Sequence, residues 1–275
     1  METIDWSGSN GDVWSRWWRS TDRALAPVGE ALNAAAARHA PKSAFRALDV
    51  GCGPGATTLS LAQRRPDAEI VGCDISPSLI EIAQRRLADL PNAGAVLADA
   101  EQAATELEPF DLIISRHGVM FFDDPVRAFR TLRLATTPGG ALIFSCFREW
   151  AANGWAAELG SAVAGKTLPP PGREPSGFAL ADEQYTRDLL EQAGWSGVEA
   201  DPIDFDYVAG EGGDAVDEAA AYFSEIGPSA RALEELPVVE RAAGLERLRR
   251  LVAQHLDRDR VVFRAAVWIY SARAQ

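Results

Sequence analysis

Three glycines at alternate positions, Gly51, Gly53 and Gly55, follow the apolar residues Ala47, Leu48 and Val50 in a stretch that reads LDVGCGPG. A strand that runs into such a turn and then into a helix leaves backbone N–H groups unpaired, and glycines let a ligand approach that backbone closely. Asp74 ends the next apolar run, about as far downstream as a ribose-binding carboxylate should sit. The pattern points to a nucleoside-type ligand lying across strand ends; the alternative is a plain tight turn in an α/β sheet. Dinucleotide sites usually space their glycines G-x-G-x-x-G, with the helix dipole facing a pyrophosphate. Here the spacing is G-x-G-x-G, and Asp49 stands two residues before the first glycine. Negative charge at that point disfavours a diphosphate and suits a cationic ligand.

On these residues the chain resembles the class I S-adenosylmethionine-dependent methyltransferases, whose first motif reads much like DVGCGPG. The resemblance implies that Asp49, Gly51, Cys52, Gly53 and Gly55 hold the methionine part of S-adenosyl-L-methionine, with S-adenosyl-L-homocysteine as product. Asp74, in GCDISP, would accept both ribose hydroxyls, since a carboxylate offers two oxygens to two donors. Its other reading is a helix cap or a surface aspartate. Ile75 would give the adenine an apolar face. Asp99, in LADAE, would accept from the adenine amino group, with the Ala100 N–H meeting a ring nitrogen and Glu101 as a neighbour.

The run SRHGVMFF over residues 115–122 resembles a bacterial small-molecule branch close to the ubiquinone and trans-aconitate methyltransferases, where this loop sits beside the transferring methyl. Arg116 is expected to contact the cofactor or an acidic substrate, or else to form a structural ion pair. His117 is the only histidine expected at the ligand edge. It is either a proton acceptor, given a reference pKa near neutrality, or a pocket wall. The Asn-Pro-Pro-Tyr motif of amino-methylating DNA and glutamine enzymes is absent there, which counts against a nucleobase amine as acceptor.

These residues need elements to position them. After the first strand and its glycine turn, the pattern predicts a helix over 56–63 and strands over 68–73, 93–98, 110–115 and 141–147. Ser76 should cap a helix opened by Pro77, and Asp124 one opened by Pro125. Leu112, Ile113 and Ile114 form the continuous apolar run of a strand buried on both faces. Five strands alternating with helices predict a parallel, doubly wound α/β sheet. Two further strands, 198–208 and 260–271, would complete a seven-stranded Rossmann-like sheet whose last strand, by the resemblance, is antiparallel.

Two stretches read as additions on the substrate side. Residues 148–180 hold Trp150, Trp155 and a Pro-Pro-Pro-Gly stop, and residues 210–258 are charged, Ala-rich and helical where relatives have a short hairpin. The second is expected to be a helical cap or an oligomer surface, so a homo-oligomer stays open. Trp14, Trp17 and Trp18 fall at i, i+3 and i+4, one face of a helix that docks on the core, closes over the ligand mouth, or does both. Residues 1–40 are accordingly read as a helical lid and 41–275 as the methyltransferase domain. Trp14, Trp18, His117, Trp150 and Trp155 are the expected acceptor contacts.

A chain of 275 residues, 47% hydrophobic, is long enough for one sizeable domain with a cap. Its net charge of −13 and lack of a basic run exclude a nucleic-acid binder; the Arg64-Arg65 and Arg85-Arg86 pairs read as solvated helix ends. The sparse cysteines Cys52, Cys73 and Cys146 suggest a reducing compartment, and their spacing matches no metal site. No apolar run reaches the roughly 18 residues of a membrane helix, and the N-terminus reads as no signal peptide, so a soluble, cytoplasmic protein is expected. The most concrete expectation is methyl transfer from S-adenosylmethionine to a small-molecule acceptor by in-line displacement, with oxygen the first choice of nucleophile. The alternatives are an NAD(P)-dependent oxidoreductase, for which a Tyr-x-x-x-Lys pair is missing, and a non-catalytic S-adenosylmethionine-binding regulatory protein.

Overall fold

Leu112, Ile113 and Ile114 are fully buried at the centre of a mixed sheet, as their unbroken apolar run requires. A computed structural model describes residues 5–275 of the chain. The elements run α1 (Ser9–Arg16), α2 (Trp18–Ala24), α3 (Ala26–His39), β1 (Arg46–Val50), α4 (Ala56–Arg64), β2 (Glu69–Asp74), α5 (Pro77–Leu87), β3 (Ala93–Leu97), α6 (Ala100–Leu107), β4 (Phe110–Arg116), α7 (Pro125–Leu134) and β5 (Thr136–Phe147). They continue as α8 (Gly154–Ala164), α9 (Glu183–Gln192), β6 (Trp195–Glu211), α10 (Ala215–Glu225), α11 (Pro228–Glu235), α12 (Val238–Gln254), β7 (Leu256–Asp257) and β8 (Arg260–Ala274).

The strand order is β3-β2-β1-β4-β5-β8-β6, with the two-residue β7 paired to β8. β1 to β5 are parallel; β8 runs antiparallel to both β5 and β6. The expected doubly wound sheet with an antiparallel last strand is therefore present. The order reverses at β1 and β4, so their carboxyl ends flank the crevice where open α/β sheets bind ligands.

Local chemistry sets the element ends. Ser76 Oγ accepts from the Leu79 N–H and Asp124 Oδ1 from the Arg127 N–H, each just before a proline in the first helical turn. The helix α6 adds an element between the third and fourth expected strands; Asp99 caps it and Ala-Glu-Gln-Ala-Ala follows, all good helix formers. β5 starts earlier than expected: Thr136 already pairs with Phe110, and residues 137–140 bulge out before Ala141 pairs with Leu112.

The N-terminal region departs from the single amphipathic helix expected there. The helix breaks at Trp17, which ends α1 and precedes α2. Trp14 packs on Trp6, which meets the Phe121 edge, whereas Trp17 meets the Tyr222 edge and Trp18 lies against the Arg19 and Arg86 guanidiniums. The three indoles thus serve three surfaces, not one. α3 buries Val28, Leu32, Ala35 and Ala36 in the main core and packs on β5 and β8, so it forms part of the helical layer on the sheet. Residues 148–180 contain α8, and residues 210–258 contain α10, α11 and α12, which pack on one another, α11 and α12 also on α8 and α10 on β6.

Candidate functional site

The turn after β1 is built for close approach. Gly51, Gly53 and Gly55 have φ of 63°, 53° and 78°, in the left-handed region that glycine tolerates and L side chains resist. A Cβ on Gly51 would lie 2.8 Å from the Gly118 Cα, so the β1 turn and the loop after β4 are in backbone contact. Ser115 Oγ fixes that contact, donating to the Val50 carbonyl at 2.7 Å and accepting from the Gly118 N–H at 3.1 Å. Around the Cβ position of Gly53 there is open space.

Asp49 is fully buried beneath this turn. Thr58 Oγ1 donates to Asp49 Oδ2 at 2.6 Å, while Oδ1 has no partner. Burial pushes the carboxyl up to about 7, against the pull of the Thr58 hydroxyl and Arg116. An orphaned carboxylate oxygen in a low-dielectric crevice is suited to a cationic ligand group.

Asp74 carries structural work as well. Its Oδ2 accepts from the Gly53 N–H and its Oδ1 from the Ser76 N–H, both at 2.9 Å. It therefore ties the glycine turn to the start of α5 and still has one lone pair free on each oxygen. Burial raises its pKa, partly offset by those backbone donors. Ile75 beside it is 41% exposed, and Leu97, which sequence reasoning missed, stands exposed in register with Asp74 on β3. Asp99 Oδ1 is occupied by capping the Glu101 and Gln102 N–H groups, which leaves its second oxygen. Glu101 turns away: its carboxylate binds Arg127 and the Thr131 hydroxyl on α7.

The loop after β4 forms the other wall. Arg116 Nη2 binds Asp22 of α2 at 2.6 Å, the ion-pair alternative raised for it. His117 adopts φ 63°, held by its N–H to the Ser145 carbonyl and by Nδ1 against Ser145 Oγ at 2.9 Å. Its ring lies 4.3 Å from that of Phe147, and its Nε2 is buried without a partner. Burial and Arg116 push its pKa down to about 3. The ring is thus neutral at physiological pH but a very weak base, and this weakness, not its neutrality, favours a wall that offers one hydrogen-bonding nitrogen over a proton acceptor.

Aromatic residues continue from His117. Phe147 meets Trp155 and Phe178, Trp150 meets the Phe178 edge, and Trp155 stacks on Tyr207 at 5.3 Å. Trp155 is buried, its indole N–H donating to Asn153 Oδ1. Trp14 belongs to the separate Trp6–Phe121 group, and Trp18 lines a surface groove of about 520 Å³ with Arg19 and Arg85. The five expected acceptor contacts therefore do not converge on one point. The Arg85-Arg86 pair, expected to be solvated, is split between water and the crevice wall. Only Arg85 is exposed; the Arg86 guanidinium donates to the Pro54 carbonyl at 2.8 Å and binds Asp22 at 2.9 Å. Asp22, Arg86, Ser145, Phe147 and Tyr207 carried no local signal, because each acts through a partner far away in the chain.

Among the described residues, no cluster of three metal-ligating side chains occurs, and no helix is long and apolar enough to cross a membrane.

Residues 47–140 match the family described as methyltransferase domain. The chain is 36% identical over 161 residues to a trans-aconitate 2-methyltransferase of Methylobacterium radiotolerans, covering 54% of this chain and 59% of that one. It is 35% identical over 109 residues to a malonyl-[acyl-carrier protein] O-methyltransferase of Ilyobacter polytropus, 40% of each chain. The chain thus matches these curated relatives over 40% and 59% of their length. In fold it is similar to the YcgJ protein of Bacillus subtilis, with a TM-score of 0.57 at 14% identity over 90% of this chain and 98% of that one. It is also similar to phosphoethanolamine N-methyltransferase 2 of Haemonchus contortus in complex with S-adenosyl-L-methionine, with a TM-score of 0.56 at 14% identity over 100% and 60% of the two chains. With the glycine turn, the orphaned Asp49 oxygen and the sheet order in place, these matches identify residues 47–140 as a methyltransferase domain, similar to those of bacterial methyltransferases that are named for trans-aconitate and malonyl-[acyl-carrier protein].

Proposed function

We propose that this protein transfers a methyl group from S-adenosylmethionine to an oxygen of a small-molecule acceptor, with a carboxylate as the nucleophile best suited to the site. The observation that carries the reading is the unpartnered Asp49 Oδ1 beneath a left-handed glycine turn with open space at Gly53. The crevice fits this cofactor class: Asp49 offers charge to the cationic methionine end, and Asp74 offers its remaining lone pairs to the ribose hydroxyls. Ile75 offers an apolar face, and the free oxygen of Asp99 with the Ala100 N–H offers an edge for the base. Glu101 is left out of this seat because α7 engages it.

When bound, the cofactor supplies a methyl already activated on a sulfonium. The chain's task is to orient the acceptor and exclude water, which can supply several kcal/mol, up to about 7–11 in good intramolecular systems. His117 gives the acceptor one neutral nitrogen, and the Phe147–Trp155 aromatics give it an apolar wall. A ring with a pKa near 3 does not hold a proton drawn from a hydroxyl at neutral pH, whereas a carboxylate needs no base. The O-methyltransferase relative supports oxygen as the acceptor atom. α1 and α2 act as the lid, since α1 lies on α5 with Gly11 against Ser76 and α2 reaches the crevice through Asp22.

Calorimetry with S-adenosylhomocysteine tests the reading, with NADH as the contrasting ligand. Wild-type protein should bind the first and not the second. Asp74→Ala should weaken binding at least tenfold, since it removes the hydroxyl acceptor and frees the Gly53 N–H. Binding of NADH alone, or unchanged affinity in the variant, would overturn the assignment.

A further inference from the structure

We propose that Asp22 is a positioning residue: one carboxylate on α2 locks both walls of the cofactor crevice and sets how fast a bound nucleoside ligand can leave. This rests on the reading of the crevice given above and adds a function to a residue outside the matched domain. Asp22 Oδ1 accepts from Arg116 at 2.6 Å, and Oδ2 lies 2.9 Å from Arg86. Arg116 ends β4, one residue before His117 and two before the glycine that touches Gly51. Arg86 stands on α5, and the same Nη1 that reaches Asp22 donates to the carbonyl of Pro54 inside the glycine turn. The carboxylate therefore bridges the β4 wall and the turn itself.

Burial sets this cluster apart. The side chains of Arg116, Asp22 and Arg86 are 11%, 19% and 20% exposed. Every other ion pair among the described residues has at least one partner more exposed than these three. Neither arginine has another carboxylate within 4 Å among the described residues, so the two sheltered cations share one anion. Separating a sheltered pair leaves uncompensated charge, which makes the closed arrangement costly to leave.

The other side of α2 is tied down as well. Ser20 and Arg23 both bind Glu218, and Thr21 Oγ1 lies 3.4 Å from Tyr222 Oη, all on α10. Trp18 covers the Arg86 guanidinium at 4.5 Å, and α1 rests on the first turn of α5 through Gly11. α2 thus spans from the cofactor walls to the helical insertion. Passage past α1 and α2 requires the Asp22 contacts to break first, which places the barrier to release at this carboxylate.

The test measures dissociation of S-adenosylhomocysteine by stopped-flow displacement, followed by intrinsic tryptophan fluorescence, on the full chain. Asp22→Asn should release the ligand at least tenfold faster and weaken equilibrium binding in step, while Asp22→Glu restores part of the slow release. Arg38→Gln, which breaks the exposed Arg38–Asp201 pair remote from the crevice, should release at the wild-type rate. If Asp22→Asn does not fold, Arg86→Gln removes one arm of the lock and should also speed release. Wild-type release rates in whichever variant folds would overturn the proposal. Failure of the wild type to bind S-adenosylhomocysteine would instead sink the reading of the crevice.

Discussion

Asp49→Asn separates the stability of this fold from its binding task. The buried carboxyl titrates near 7 in the folded chain against an ordinary 3.8. A folded pKa raised in this way favours the protonated form: the group costs nothing below pH 3.8, and the cost grows as pH rises to 7 and then stays constant. The gap of about three pH units corresponds to about 4 kcal/mol of stability forgone above pH 7. Asparagine keeps the shape and the Thr58 hydrogen bond but cannot ionise. It buries an unpaired amide in place of the Oδ1 oxygen, at a cost of about 1–3 kcal/mol. The ligand-free variant should therefore be more stable than wild type by about 1–3 kcal/mol at pH 8, and the advantage should vanish by pH 5. Binding should move the other way. Loss of a charge-assisted hydrogen bond worth about 1.5–3 kcal/mol predicts about 10- to 150-fold weaker S-adenosylhomocysteine binding at pH 7.5. Wild-type affinity should also rise about eightfold from pH 6 to pH 7.5 as the ionised fraction grows, while the variant stays flat. Thermal melts at pH 5 and 8 and titration calorimetry at pH 6 and 7.5 read both effects. An Asn variant that binds as tightly as wild type, or wild-type affinity independent of pH, would refute the role given to Asp49.

The glycine turn and the histidine offer two further tests. Gly51→Ala meets the Gly118 backbone at 2.8 Å, whereas Gly53→Ala meets nothing within 4 Å and costs only the left-handed strain of about 1–2 kcal/mol. Melting should thus fall further in Gly51→Ala, yet both variants should lose S-adenosylhomocysteine binding; an inverted order of melting temperatures would show the contact is not what holds the turn. His117→Asn keeps a residue that tolerates φ 63°. It should leave cofactor affinity intact and lower turnover. Because the folded pKa lies below 6.5, wild type should lose stability from this group as pH falls from 6.5 towards 3, by about 1.4 kcal/mol per pH unit, and the variant should lack that slope. A turnover step near pH 6.5 that disappears in the variant would restore the proton-acceptor reading.

What could be read from the chain alone were features whose cause is local. The apolar run at Leu112, Ile113 and Ile114, the glycines after Val50 and the Ser76-Pro77 and Asp124-Pro125 caps depend on neighbours a few residues away, so period and composition expose them. α6 also carried such a signal, in Asp99 and the helix formers behind it. Tertiary structure decided the rest. Whether Arg86 faces water or the Pro54 carbonyl depends on how α5 packs beside the glycine turn, and no local pattern encodes that. The same holds for the break at Trp17, whose indole packs on the edge of Tyr222, a residue far along the chain, while Trp14 packs on Trp6. Asp74 shows both kinds at once: its place after a strand is legible from sequence, but only the folded chain brings the Gly53 N–H to its carboxylate. Side-chain type and spacing determine which chemistry is on offer; long-range packing determines which groups are spent on holding the fold and which are left unpaired for a ligand.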